Sequence, residues 1–368
     1  MKHQTALIII DSGFSQQALE RAGKVLAVWD LSRDMKFEGD PYVPPEQLAQ
    51  FAGDRLHHGT IVLERLMDRV PELPVILIRV MPEKDDFFIR TSWNERGEID
   101  QPGWTEAYLW AVDLCRRRGF RSVANCSFGA FIHASDGTGW EAHQVSQATG
   151  AGKPNHIMVV AAGVGDGRAQ HASWRHLTGE TIPVTAYQKG DAKYNLWSGH
   201  EKGALWRLSV KLNGDEQFVV ESSHVPKNMW NDRKQHTFTV HGEGYVEFVM
   251  ELFASGTADD GINEGALRFD IWAPSDMTAS FLNRIDQELI SEPACFRECI
   301  AVGLRRGIYA ANQTELGAKP EVLVPGGEQI SFRTPEVTAA VARLLRDTAA
   351  DLDVDDVRKL LGKYPQLS

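Results

Sequence analysis

The sequence predicts an α/β fold, a doubly wound parallel sheet interrupted by an all-β sandwich. Three observations carry this expectation. Short continuous apolar runs alternate with helical stretches through the first part of the chain, the pattern of strands buried on both faces of a parallel sheet. From near Trp174 to about residue 285 the pattern changes to apolar–polar alternation broken by turn residues, as in antiparallel strands with one wet face. The strand–helix texture then returns to the end of the chain. Residues 1–173 and 286–368 are therefore expected to form one discontinuous α/β body, and 174–285 an inserted β-sandwich or jelly roll.

The elements follow in order. The runs Thr5–Ile10 (TALIII), Val75–Val80 (VILIRV), Ser122–Ser127 (SVANCS) and Ile157–Ala162 (IMVVAA) predict buried strands. Residues 45–70 carry Leu48, Phe51, Leu56, Val62, Leu63 and Leu66 at helical spacing, with Gly53 and Gly59 interrupting. Residues 104–118 predict an amphipathic helix whose basic last turn suits the helix dipole, and 138–150 a weaker one. In the insert, strands are expected around 206–210, 217–220, 237–240, 245–249 and 267–271, separated by turns such as Asn213-Gly-Asp215. Cys299–Gly303 predicts a strand, Pro335–Arg346 a helix with proline in its first turn, and Val354–Leu361 a short closing helix.

Composition narrows the functional classes. The formal net charge of -11 argues against nucleic-acid binding, which needs a basic face to neutralise phosphates. The apolar run near the N-terminus is shorter than a signal-peptide core, and no segment reaches membrane-spanning length, so a cytoplasmic location with no membrane partner is expected. Four cysteines are too few for a disulfide scaffold, and Cys295 with Cys299 make only half a zinc site. No metal and no cofactor are expected. Calcium is not supported, because the acidic segment Asp351–Asp356 lacks the ligand spacing of a calcium loop.

Three polar residues stand where open α/β sheets carry their chemistry, beyond the carboxyl ends of strands. Asp11 closes the first strand, His58 opens a helix in His58-Gly-Thr60, and Ser331 opens another in Ser331-Phe-Arg-Thr-Pro335. Serine is a weak nucleophile until a base removes its proton. Histidine is the base that titrates near neutrality, and a carboxylate fixes its tautomer and stabilises its charged form. His57 adjoins His58, but His58 carries the Gly-Thr register.

The order Asp…His…Ser is that of the subtilisins, and the surrounding motifs resemble the subtilisin-like serine peptidases. Ile8-Ile-Ile-Asp-Ser-Gly13 resembles the aspartate motif of that family, and His58-Gly-Thr60 the start of its His-Gly-Thr-His. Ser122-Val-Ala-Asn-Cys-Ser-Phe-Gly129 resembles the strand lining its substrate cleft. Val159-Val-Ala-Ala-Gly163 resembles the strand before its oxyanion-hole asparagine. Lys319-Pro-Glu-Val-Leu-Val-Pro-Gly326 and Ser331-Phe-Arg-Thr-Pro335 resemble its last two motifs. Gly165–Ser173 followed by a β domain is similar to subtilases of spore germination, which carry a jelly-roll domain at this point.

The resemblance implies a serine endopeptidase that acts through an acyl-enzyme, with Asp11, His58 and Ser331 as the triad. It implies a peptide substrate held by Ser127, Phe128, Gly129, Ala162 and Gly163. Narrow-specificity maturation of an intracellular precursor is one form such an activity takes. The pattern departs where the oxyanion asparagine should follow Gly163, since Val164 and Gly165 stand there. Loss of such a donor costs about 10²–10³ in turnover. The candidate donors are the Ser331 backbone, Val164, Asn125, His171 and Arg168. Gln329-Ile330 replaces Gly-Thr before the serine, and Ile61 replaces the second histidine of its motif. The alternative is a catalytically impaired pseudoprotease that binds peptides or regulates. With ten residues before Asp11, no prodomain is expected, and control by the β insert is.

Overall fold

The computed structural model describes residues 4–81, 89, 91–93, 99–129, 137–163, 170–199, 204–225, 233–254, 266–273, 278–284, 290–305, 319–326 and 329–361. The chain begins β1 (Thr5–Asp11), α1 (Gln16–Ala22), β2 (Val25–Asp30), β3 (Met35–Glu38), α2 (Pro45–Phe51), α3 (His58–Arg69) and β4 (Val75–Arg79). A short hairpin follows, β5 (Ser92–Trp93) with β6 (Ile99–Gln101), then α4 (Trp104–Arg117), β7 (Arg121–Cys126), α5 (Trp140–Ala148) and β8 (His156–Ala161).

Nine antiparallel strands come next. They are β9 (His171–Leu177), β10 (Thr181–Lys189), β11 (Ala192–Ser198), β12 (Leu205–Leu212), β13 (Asp215–Glu221), β14 (Gln235–Val240), β15 (Glu243–Ala254), β16 (Ala266–Trp272) and β17 (Ala279–Phe281). The chain closes with β18 (Cys299–Leu304), β19 (Val322–Val324), α6 (Ile330–Asp347) and α7 (Val354–Leu361).

The first and last groups build one eight-stranded sheet in the order β19-β18-β8-β7-β1-β4-β2-β3, parallel except for the β2–β3 hairpin. Its strands are apolar on both faces because helices cover both. Leu7 and Ile9 of β1 point into a core shared with α1, α2, α3, α6 and α7. Ala6, Ile8 and Ile10, one residue out of phase, point into a second core shared with α4 and α5. The expected mixed α/β class with a parallel sheet and further antiparallel sheets is what forms.

Strands β9 to β17 form two antiparallel sheets, β14-β11-β16-β9 and β13-β12-β15-β10-β17, around a third apolar core. The pairs β9–β16, β10–β15, β11–β14 and β12–β13 nest one inside the next. Trp197, Trp206 and Trp272 are buried here, so the insert tryptophans within the described residues pack inside and do not offer a carbohydrate platform. Trp230 lies outside the described residues. The first of these strands begins at His171, three residues inside the stretch that the sequence grouped with the α/β body.

Two local expectations change. The helical stretch 45–70 is two helices, because Gly53 leaves helical geometry to make a reciprocal backbone pair with Phe14 (2.9 and 2.8 Å). The helix expected from Pro335 starts earlier, at Ile330, which places Pro335 inside it. Pro335 has no N–H to give the Ser331 carbonyl, so the first turn lacks that hydrogen bond. Among the described residues, no helix is long and apolar enough to cross a membrane.

Candidate active site

Strand β1 lies at the middle of the large sheet, between β4 and β7, and delivers Asp11 at its carboxyl end opposite Arg79. The Asp11 side chain is buried. Its Oδ1 accepts the Ser12 backbone N–H (2.7 Å) and lies 2.6 Å from Nδ1 of His58. A carboxylate only accepts, so Nδ1 carries the shared proton, and in the neutral ring Nε2 keeps its lone pair.

His58 is the first residue of α3, after His57, which caps the helix in the left-handed region (φ 55°) and is exposed. The close approach of α3 to β1 depends on Gly59, where a Cβ would come within 2.3 Å of the Gly13 carbonyl oxygen and 2.9 Å of the Asp11 Cβ. The glycine after the histidine thus has a physical reason: any side chain would push the imidazole off the carboxylate.

Burial disfavours the charged imidazole. The Asp11 charge and hydrogen bond, with Asp54 behind them, outweigh it and raise the His58 pKa above its ordinary value. The ring is about a quarter exposed (24%) and lies against Phe332, centroids 5.2 Å apart. The Arg65 guanidinium covers Phe332 at 5.4 Å and donates to its carbonyl (3.0 Å). Helix α6 is tied to α3 a turn further on, where Arg69 bonds Glu336 (2.7 Å).

Ser331 is the second residue of α6, half-buried and next to Phe332. Phe332, the next residue in the helix, lies against the His58 ring. Among the described residues, no hydrogen bond joins the Ser331 hydroxyl to His58, so two of the three expected partners are directly bonded and the third adjoins the residue that packs on the imidazole. Bonds of this kind are often long before substrate binds. In the first turn of α6 the Phe332 N–H donates to the Gln329 carbonyl (3.0 Å), whereas the Ser331 N–H, at the positive end of the helix dipole, is one of those a helix start leaves without an i−4 acceptor inside the helix.

The other candidate donors fare differently. Asn125 is fully buried. Its amide nitrogen donates to Ser127 Oγ (2.9 Å) and its oxygen accepts from Thr338 Oγ1 (2.8 Å). It fastens β7 to α6 and does not face a substrate. His171 is buried in β9, bonded through Nε2 to Asp270 (3.0 Å) and stacked on Trp272 at 3.7 Å. Both expectations are corrected for the same reason, that these groups are consumed within the fold. Val164 and Arg168 lie outside the described residues.

Ser127, Phe128 and Gly129 continue from the carboxyl end of β7, and Ala162 and Gly163 from that of β8. Phe128 packs edge-on to Trp104, centroids 5.7 Å apart, so Trp104 serves the core. Only Gly129 of the first group is exposed. Ala162 gives its N–H to Val302 (2.9 Å) and receives that of Ser291 (3.3 Å), so its backbone is engaged internally and the expectation that it binds substrate is corrected. Gly163 is half-buried with φ 92°.

Three residues at this end escaped the sequence reading. Ser291 sits between the two strand ends, so close that a Cβ on Gly129 would meet its Oγ at 2.0 Å. Ser12 and Asp54 form a hydrogen-bonded bracket beside His58, with Ser12 Oγ donating to Asp54 Oδ1 (2.8 Å). Among the described residues, no group of three or more His, Cys, Asp or Glu side chains is arranged to hold a metal ion.

Known proteins resemble this chain in structure and not detectably in sequence. No family profile matches it, and no curated protein does. Among solved structures, the CspB protease of Clostridium perfringens superposes over 97% of this chain and 86% of its own, with a TM-score of 0.71 at 14% identity. The two share a fold. The pre-peptidase C-terminal domain of a Bacillus anthracis collagenase superposes over 29% of this chain and 90% of its own, at 11% identity and a TM-score of 0.20.

Proposed function

We propose that the chain is a subtilisin-like serine endopeptidase with Asp11, His58 and Ser331 as its triad. The observation that carries this reading is the 2.6 Å contact between His58 Nδ1 and Asp11 Oδ1, with Phe332, the residue after Ser331 in α6, lying against the same ring. The shared fold with a protease supports the hydrolase class.

In this mechanism Ser331 Oγ attacks the peptide carbonyl carbon while His58 Nε2 takes the hydroxyl proton. Asp11 holds the ring by Nδ1–H and stabilises the imidazolium. The imidazolium then protonates the leaving amine, and water, deprotonated by the same nitrogen, releases the acyl group. The N–H of Ser331 supplies one oxyanion donor, and the backbone N–H of Val164, which follows Gly163 in the sequence, is the candidate for a second. Gly129, exposed just beyond the carboxyl end of β7, pairs with extended substrate.

The test is covalent labelling by a fluorophosphonate, read by intact mass and peptide mapping. Modification of Ser331 in native protein, absent in Ser331→Ala and strongly slowed in Asp11→Asn, supports the reading. Absence of labelling in folded native protein overturns it. That outcome would favour a pseudoprotease that holds peptides without cutting them, a reading motivated by the missing Ser331–His58 hydrogen bond and the missing oxyanion asparagine.

The remaining parts of the proposal concern context. The nested pairing of β9 to β16 supports a jelly roll, in which one long antiparallel ribbon rolls onto itself. It would occupy 174–285 as a domain within the α/β body, 1–173 with 286–368. A cytoplasmic, narrow-specificity maturation role acting on a peptide or protein precursor, with neither metal nor cofactor, is the form we favour. Replacement of 176–284 by a short linker tests whether the insert controls access: unchanged peptide turnover in a folded variant would remove that role.

A further inference from the structure

The connection between β1 and α3 is bracketed by a side chain outside the proposed triad. Asp54 is half-buried in the turn before α3 and uses both oxygens. Oδ1 accepts the Ser12 hydroxyl (2.8 Å) and Oδ2 accepts the Thr60 backbone N–H (2.8 Å) in the first turn of α3. The Ser12 hydroxyl in turn accepts the Gly59 N–H (3.1 Å), and the Ser12 N–H holds Asp11 Oδ1 (2.7 Å). Thr60 Oγ1 closes the bracket by accepting the Ser15 N–H (2.9 Å). His58 is thereby flanked by tethered backbone on the strand side and on the helix side. Two of the α3 N–H groups that a helix start leaves without acceptors are satisfied in the process.

We propose that Asp54 is a positioning residue of the site: through Ser12 and Thr60 it fixes the first turn of α3 to the end of β1, so that the His58 imidazole stays on Asp11. The inference rests on reading Asp11 and His58 as the proton-handling pair. It goes further by giving a second carboxylate, one that touches neither substrate nor reacting atoms, a defined task.

Among the described residues, three charged groups bear on the ring. Asp11 comes from β1 and Asp54 from the turn before α3, and the Arg65 guanidinium stands behind Phe332, which α6 lays against the imidazole. Asp54 also adds to the negative potential that raises the imidazole's affinity for its proton.

The experiment compares Asp54→Asn and Asp54→Ala with native protein. The readouts are proton NMR of the His58 Nδ1–H, the His58 titration midpoint and, where turnover is measured, kcat and KM separately. The asparagine variant keeps the shape and guards against failure of the alanine variant to fold. The expected result in both is a His58 midpoint moved to lower pH, with the Nδ1–H resonance broadened or lost to exchange. A fall in kcat of about tenfold or more with KM little changed accompanies it. An unchanged midpoint and an intact Nδ1–H resonance in a folded variant would overturn the proposal. The NMR arms need no turnover, so they judge Asp54 even if Ser331 proves unreactive to a fluorophosphonate, which would sink the peptidase reading alone.

Discussion

His58 Nδ1 and Asp11 Oδ1 lie 2.6 Å apart, the side chains being 24% and 2% exposed. A short contact between a buried carboxylate and a partly wet imidazole fixes which ring nitrogen faces outward. Asp11→Asn keeps the shape but offers an amide donor, which favours the wrong tautomer. The expected outcome is a loss of about 10⁴ in the rate of fluorophosphonate labelling, with the variant still folded. Labelling at the native rate would show that the contact has no part in catalysis.

The raised His58 pKa sets a pH dependence. A general base works in its neutral form, so labelling should rise with pH through a midpoint above the ordinary imidazole value of 6.5. In Asp11→Asn the residual reaction should show a lower midpoint. Stability moves the other way. The charged pair stabilises fully below the unfolded pKa, and that contribution disappears as pH rises through the raised folded value. Urea titrations of native protein and His58→Ala at pH 5 to 9 would show the difference between them shrinking across that interval.

Gly59→Ala tests the close approach. The added methyl would meet the Gly13 carbonyl oxygen, which is backbone and cannot swing away. A loss of about 1–3 kcal/mol in urea unfolding is expected. The Nδ1–H resonance of His58 should weaken with it.

Asp270 in β16 is a buried carboxylate held by three partners. His171 Nε2 lies at 3.0 Å, Arg233 Nη2 at 2.9 Å and Arg268 Nη2 at 2.9 Å. Burial pushes its pKa up, but the hydrogen bond and charge of His171 and the charges of both arginines hold it well below the carboxylate range. Its contribution is therefore present above the ordinary carboxylate value of 3.8 and fades as pH falls below it. Asp270→Asn should cost about 3–5 kcal/mol near neutrality, because it takes the carboxylate from the buried Arg233 guanidinium. Thermal unfolding by circular dichroism reads this directly.

The parallel sheet was readable because strands covered on both faces are apolar throughout: Thr5–Ile10 and Val75–Val80 are such runs, and both form strands. Val25–Asp30 is equally apolar and also forms a strand, but a short apolar run does not by itself separate strand from buried helix. Strand β9 was hidden for the opposite reason. His171 and His176 are polar residues turned inward, and they break the alternation that marks a wet-faced strand.

The site divides the same way. Asp11 and His58 could be named because each sits in a local motif. Ser12 with Asp54, and Ser291 with Gly129, are meetings of distant loops that no local pattern records. Asn125 shows the converse hazard, a motif residue whose amide oxygen holds α6 and whose amide nitrogen holds Ser127.

Among the described residues, the two ends of the run of nine antiparallel strands, and the stretches that flank it, meet in two backbone hydrogen bonds. The Ser173 N–H reaches the Arg284 carbonyl at 3.1 Å, and the Ser291 N–H reaches that of Ala162 at 3.3 Å. Ser291 is also the residue against which the backbone at Gly129 packs, so closely that a Cβ there would meet its Oγ at 2.0 Å: one serine thus spaces the ends of two neighbouring strands of the large sheet, and only glycine fits opposite it.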